Sequence, residues 1–171
     1  MEFSEVVRSR YACKKYSDRP VEAEKLNAVL EAGRLAPTAK NLQEQRIYVL
    51  QGEALALADQ VTPCRYGAGT VLAVAYDKNN VYTYPDGSHS SGTEDAVIVA
   101  THMMLAAADE GLNSCWINNF RAVDLEKILG LPENEELVMM LDLGYAAEGA
   151  GPLPNHSLRK PLEDTVTYVR A

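Results

Sequence analysis

The sequence has little to offer a membrane, a nucleic acid or an oxidising compartment. None of its apolar runs is long enough to span a bilayer. Met1-Glu2-Phe3-Ser4-Glu5 has neither the charged nor the apolar region of a secretory signal. A net charge of −8 disfavours nucleic acid and anionic lipid as general partners. The three cysteines, Cys13, Cys64 and Cys115, are widely spaced, odd in number and without a Cys-x-x-Cys pair, which is the pattern of reduced thiols. These absences together predict a cytoplasmic protein. His89, His102 and His156 lack the close spacing of a metal site, and no Gly-x-Gly-x-x-Gly follows a strand-like run, so a dinucleotide fingerprint is missing too. What is present is ordinary: 171 residues at 47% hydrophobic and 23% charged predict a single domain, residues 1–171, with a real core.

Helix and strand signals alternate along the chain. Phe3, Val6, Val7 and Tyr11 recur at helical spacing and predict a helix over Glu5–Tyr11. A second helix is expected over Val21–Leu35, ended by Pro37. Ile47–Leu50 reads as a buried strand, Gly52–Val61 as a helix, and the β-rich run Thr70–Tyr76 as a central strand. Asn79–Gly92 is a long loop. Thr93 is placed to cap the longest helix, which carries Glu94 and Asp95 in its first turn and stops at Gly111. Strands are expected over Asn113–Asn118 and Glu136–Tyr145, with a short helix over Asp124–Leu129 between them. After the Ala-, Gly- and Pro-rich connector 146–155, Leu162–Val169 has strand character. The class is α+β, one mixed sheet packed by helices. The tail strand has two homes open to it: its own sheet or that of a partner. The alanine- and methionine-rich long helix fits an interface between chains or the core of a monomer equally well.

The polar loop Pro37-Thr38-Ala39-Lys40-Asn41-Leu42-Gln43, between a helix and a buried strand, is a natural ligand site. Cationic segments lie upstream, at Arg10-Tyr11-Ala12-Cys13-Lys14, and near the C-terminus, at Arg159-Lys160-Pro161-Leu162. Arg10 and Lys14 share a face if their stretch is helical, and arginine forks with lysine ammoniums suit a phosphate. Cys13, between two cations, is the thiol whose pKa those charges could lower.

These segments, in this order and together with Gly144-Tyr145 and the stretch Gly111–Ile117, resemble the nitroreductase family of FMN-dependent oxidoreductases. The resemblance covers nearly the whole chain. It implies a nitroreductase-like, mainly antiparallel sheet flanked by helices, and a homodimer with an exchanged C-terminal strand and FMN at the subunit interface. It implies that Arg10, Arg159 and Lys160 hold the phosphate and that Lys14 faces the pyrimidine side of the flavin. Tyr11, Ala12, Pro37, Thr38, Ala39, Asn41 and Gln43 would line the cofactor, with Gln43 closing its loop. Trp116, Ile117 and Asn118 end a strand beside the ring, although Trp116 serves as core filler equally well. The implied activity is hydride transfer from NADH or NADPH to flavin N5, then reduction of a nitroaromatic, quinone or similar small acceptor, ping-pong in one pocket and with no catalytic side chain.

Three departures from the family pattern stand out. Ala12 replaces the usual serine, Glu44-Gln45 replaces a common Pro-Trp, and the chain is short, with only the loop Asn79–Gly92 where larger members insert structure. Tyr82, Tyr84 and His89 in that loop are lid candidates. The rival readings are a non-catalytic FMN carrier or sensor and a specialised reductive enzyme such as a dehalogenase.

Overall fold

The structure, a computed structural model, describes residues 1–170. Four strands, β1 (Gln45–Gln51), β2 (Thr70–Asp77), β3 (Asn113–Ile117) and β4 (Glu135–Gly144), form one sheet in the order β1-β2-β4-β3. Every neighbouring pair in the sheet is antiparallel. A parallel contact enters through one isolated bridge, Ala12 to Ser114, outside the sheet proper.

Burial of β2 on both faces explains its unbroken apolar run. Leu72, Val74 and Tyr76 point into a core with Val99, Met103 and Leu141, while Val71, Ala73 and Ala75 point the other way, toward Leu50, Leu125 and Met140. This is the period-2 alternation of a strand between two helical layers. α2 (Ala23–Arg34) and α4 (Gly92–Asp109) cover the first face, and α3 (Leu55–Asp59) and α5 (Ala122–Leu129) the second, while α1 (Phe3–Ser9) packs against α4. The register slips between Val74 and Ala75, and the bulge puts Val138 and Met139 on one side in succession before alternation resumes.

Two sequence expectations are corrected here. The first helix ends at Ser9 and Arg10 is already extended, so the chain from Arg10 to Lys14 is not helical. Its backbone is taken by β3 instead: Cys13 N–H donates to Ser114 O at 2.9 Å. α4 begins one residue before Thr93, with Ser91 at its N-cap. Gly92 is needed there because a Cβ would lie 2.1 Å from the Tyr76 ring. The tail strand does not form within the chain. A single 3-10 turn spans Leu162–Asp164, and Tyr168 and Val169 stand 76% and 92% exposed. Val166–Val169 has the composition of a strand but, among the described residues, pairs with no strand of its own chain.

α4 is apolar on its buried face and on part of its outer one. Ala96, Val99, Ala100, Met103 and Ala107 are buried within the chain, whereas Val97 and Ile98 face outward. A helix apolar around most of its circumference has more than one surface to cover.

Candidate functional site

Two separate groups of the expected residues lie at opposite edges of the sheet. At the β3 edge, Ala12, Lys14, Trp116, Ile117 and Asn118 line a cleft of about 460 Å³. The extended backbone from Arg10 puts Ala12 and Lys14 on the same side by alternation, whereas Arg10, expected to share a face with Lys14, lines a different cavity. Lys14 Nζ lies 5.5 Å from the centroid of the Tyr66 ring. Trp116 packs against the core and also reaches the cleft, where its indole N–H donates to Asn118 Oδ1 at 2.8 Å.

Cys64, Tyr66, Asn119, Leu153 and Asn155 complete the cleft and escaped the sequence reading. Their one local signal is the turn-rich Pro63-Cys64-Arg65-Tyr66-Gly67, where Tyr66 and Gly67 both take positive φ. Hydrogen bonding from the Tyr66 hydroxyl, with help from Thr62, Asn119 and Lys14, holds the Cys64 thiol below the ordinary thiol range. The same bond pushes Tyr66 up to about 12. Cys13 is the opposite case to the expectation. It is fully buried, and burial raises its pKa despite the flanking cations. Beneath the cleft, Asp142 pairs across the ladder with Cys115, is 1% exposed and leaves Oδ2 without a donor. Burial, against the pull of Arg65, pushes its carboxyl up to about 8.

The other cations fall nearby but not in one cluster. Arg10 and Tyr11 line a cavity of about 210 Å³ with Ser114. Arg159 shares a different cavity, about 340 Å³, with Arg8 and His156. Tyr11 packs edge-on against His156, ring centroids 6.3 Å apart, and so links the two. Arg159 Nη1 donates to the carbonyls of His156 and Leu158 at 2.6 and 2.7 Å, and Lys160 is exposed outside these cavities. Arg8 is a cation the sequence reading passed over.

At the β1 edge stands the loop Pro37–Gln43. Lys40, Asn41 and Gln43 have φ of 53°, 57° and 54°, left-handed values that non-glycine residues adopt at a cost. Hydrogen bonds hold them there. Gln43 N–H donates to Thr38 Oγ1 at 3.0 Å, Asn80 Nδ2 to Leu42 O at 2.7 Å, and Ala39 N–H to both oxygens of Asp95 at 3.1 Å. Gln43 closes the loop as expected, its amide also donating to Asn41 O at 3.4 Å. Tyr82, Tyr84 and His89 are stacked in series next to this loop, where Lys40 Nζ lies 4.6 Å from the Tyr82 ring centroid. They border the loop and not the cleft of their own chain. His102 binds the carbonyl of Ile98 within its helix, so the three imidazoles lie in three separate places.

Three strand spacings, about 14 Å, separate the β1 and β3 edges. The Pro37–Gln43 loop does not line the cleft of its own chain.

The comparisons with known proteins agree with this architecture. The family model described as "Nitroreductase family" matches residues 7–65 and 65–145. A crystal structure of a nitroreductase family protein from Clostridium difficile superposes with a TM-score of 0.92 at 35% identity, covering 100% of both chains. A nitroreductase, provisionally so named, from Desulfovibrio desulfuricans, solved in complex with FMN, has a TM-score of 0.82 at 23% identity over 100% of this chain and 98% of that one. Among curated proteins, one from Archaeoglobus fulgidus, provisionally named NADH dehydrogenase/NAD(P)H nitroreductase, is 25% identical over 150 residues, 82% of this chain and 83% of its own length. By the extent of the family match and the end-to-end likeness at 35% identity, the chain belongs to the nitroreductase family.

Proposed function

We propose that the protein is an FMN-dependent oxidoreductase whose flavin sits in the β3-edge cleft, between two copies of the chain. The observation that carries this reading is the cleft itself, where Lys14, Tyr66, Trp116 and three asparagines converge on a volume of about 460 Å³. That size falls within the roughly 300–1,000 Å³ of small-molecule sites. The residues fit FMN. Aromatic faces suit a flat ring, amides suit a pyrimidine edge, and Arg10, Arg8 and Arg159 stand in the flanking cavities, where a phosphate needs cations in a chain of net charge −8.

When bound, FMN supplies the redox chemistry, taking hydride from NAD(P)H and passing electrons to a nitroaromatic, quinone or similar small acceptor, with one cleft serving both substrates in turn. The chain's part is positioning and electrostatics. Lys14 places a cation at the pyrimidine side, where reduction leaves negative charge. Trp116, its indole fixed by Asn118, and Tyr66 wall the ring. Arg10 and Arg159, in neighbouring cavities, and the exposed Lys160 would hold the phosphate, joined by Arg8. Two features support a second copy: the Pro37–Gln43 loop lies at the far sheet edge from the cleft, and the exposed Val166–Val169 has strand composition but pairs with no strand of its own chain. A partner would bring its loop over the cleft and receive the tail on its sheet.

The test is the visible spectrum of protein loaded with FMN and freed of excess, before and after anaerobic NADH and NADPH. Stoichiometric flavin that bleaches with either nucleotide is expected, and the more effective nucleotide is the donor. Flavin that is retained but stays yellow would make the protein a carrier. No retained flavin would end the reading. Sedimentation equilibrium, with a mass of twice the chain expected, checks the second copy.

A further inference from the structure

We propose that the cavity between the end of α1 and the segment 156–159 is a phosphate-monoester site, in which Arg8, His156 and Ser157 join Arg159. The proposal deepens the FMN reading and rests on it for the ligands that reach the site, but not for the site's chemistry. The cavity, about 340 Å³, is lined by Val7, Arg8, His156, Ser157 and Arg159. Four of these five side chains carry hydrogen-bond donors, and none is a carboxylate. In this chain that is unusual, because Asp and Glu number 24 against 16 Lys and Arg. Arg19, Arg34, Arg46, Arg65 and Arg121 each pair with a carboxylate. Arg8 and Arg159 pair with none among the described residues. Two guanidiniums that line one cavity repel each other unless a negative charge joins them.

The neighbouring charges leave that role to a ligand. Glu5, three residues before Arg8 on α1, accepts from the Glu2 amide at 3.3 Å. Glu163 and Asp164, beyond Pro161, form no ion pair among the described residues. Arg10 stands in the neighbouring cavity and Lys160 outside both, and each adds positive charge. The carbonyl end of α1 is a weak negative pole, and Arg8 already lies in its last turn. Arg159 Nη1 is held by the carbonyls of His156 and Leu158, which leaves Nε and Nη2 for a ligand. The His156 ring is braced by the Tyr11 ring, and its amide donates to Leu153 O at 2.8 Å. A phosphate monoester brings nearly two negative charges and three strong acceptor oxygens, which match two guanidinium forks, an imidazole and a hydroxyl. A carboxylate, with one charge, would leave one arginine uncompensated. Under the FMN reading two ligands carry a phosphate monoester, FMN itself and the 2′-phosphate of NADPH; riboflavin and NADH are their counterparts without it.

Two measurements on the full chain test this. The first needs no flavin: phenyl phosphate, a simple monoester, is titrated into the protein while the imidazole resonances are followed by NMR, with His156→Gln identifying the His156 signal. A saturable shift of His156, not shared by His89 or His102, is expected, and Arg8→Gln should weaken the binding about tenfold, the worth of one charge-assisted hydrogen bond. An unmoved His156 overturns the proposal. The second compares wild type with Arg8→Gln, a change at an exposed position, for the affinities of FMN and riboflavin and the KM of NADPH and NADH. FMN weakened about tenfold with riboflavin unchanged assigns the site to the flavin's phosphate. A KM for NADPH raised about tenfold, with NADH and FMN unchanged, assigns it to the nucleotide. Ratios of FMN to riboflavin and of NADPH to NADH that are the same in both proteins overturn the proposal, even where FMN binds and turns over. If no protein retains FMN, the flavin reading fails, while the phenyl phosphate titration still decides whether the cavity takes a phosphate monoester.

Discussion

The two edges of the sheet hold their halves of the site by different physics. At the β3 edge, regular extended backbone does the work: the segment from Ala12 to Lys14 is bridged to β3, and alternation aims its side chains into the cleft. At the β1 edge, the loop Pro37–Gln43 takes backbone angles that its residues disfavour, and it is held by bonds to Thr38, Asn80 and the buried Asp95. Each edge also buries a carboxyl with an unpartnered oxygen, Asp142 under the cleft and Glu44 behind the loop. Burial raises the pKa of the first, and burial with a like-charged neighbour raises that of the second. Ordinary secondary structure can support a surface; a strained loop needs dedicated buried chemistry behind it.

A pair of glycines tests the contrast most severely. Gly92, behind the loop, has no room for a Cβ against three atoms of the Tyr76 ring at 2.1–2.7 Å, and Gly144, near the cleft, faces Tyr16 Cδ1 at 2.9 Å. Both rings are buried. Gly92→Ala is expected to cost about 3 kcal/mol or more and Gly144→Ala about 1–2 kcal/mol, measured by urea denaturation. Equal losses would mean that the loop side yields as easily as the cleft side.

Asp142 gives a smaller effect with a definite sign. Its carboxyl stays protonated in the native state up to about pH 8, whereas an unfolded aspartate ionises near pH 4. Over that window the unfolded chain releases a proton that the native chain keeps, so stability is full below about pH 4 and declines as pH rises toward about 8. Asp142→Asn removes this dependence and is expected to be more stable than wild type by about 1–3 kcal/mol at pH 8. Parallel stability curves for the two proteins would show that Asp142 is charged in the native state.

The smallest effect isolates the cleft from the loop. Lys14→Ala should leave folding within about 0.5 kcal/mol and lower the midpoint potential of bound FMN by about 30 mV, the equivalent of about 1.4 kcal/mol for a two-electron couple. An unchanged potential in a redox titration would remove Lys14 from the flavin's surroundings.

Much of the fold was legible in the sequence because periodicity reports burial. The run Thr70–Tyr76 announced a strand covered on both faces, and the turn at Pro37 marked the end of α2. Contacts that depend on partners distant in sequence were not legible. Arg10–Lys14 reads as the end of a helix until β3 claims its backbone. Thr93 reads as a cap until Ser91 and Gly92 are seen packed against Glu44 and Tyr76. Cys13 looks activated by its neighbours in sequence, whereas Cys64 is activated by neighbours in space. The tail has the residues of a strand but pairs with none in its own chain. Above all, no local pattern reveals that the loop box and the cationic segment stand at opposite edges, because that separation belongs to the strand order β1-β2-β4-β3.

That strand order also bears on inheritance. In the proposed two-fold pair each cleft is roofed by the other chain's loop, so a chain damaged at Lys14 and a chain damaged at Thr38 fail for complementary reasons. Alone, each gives a pair with two defective sites. Mixed, they assemble one site that carries both lesions and one that carries neither, so with random pairing two defective alleles in one cell can restore about a quarter of the sites.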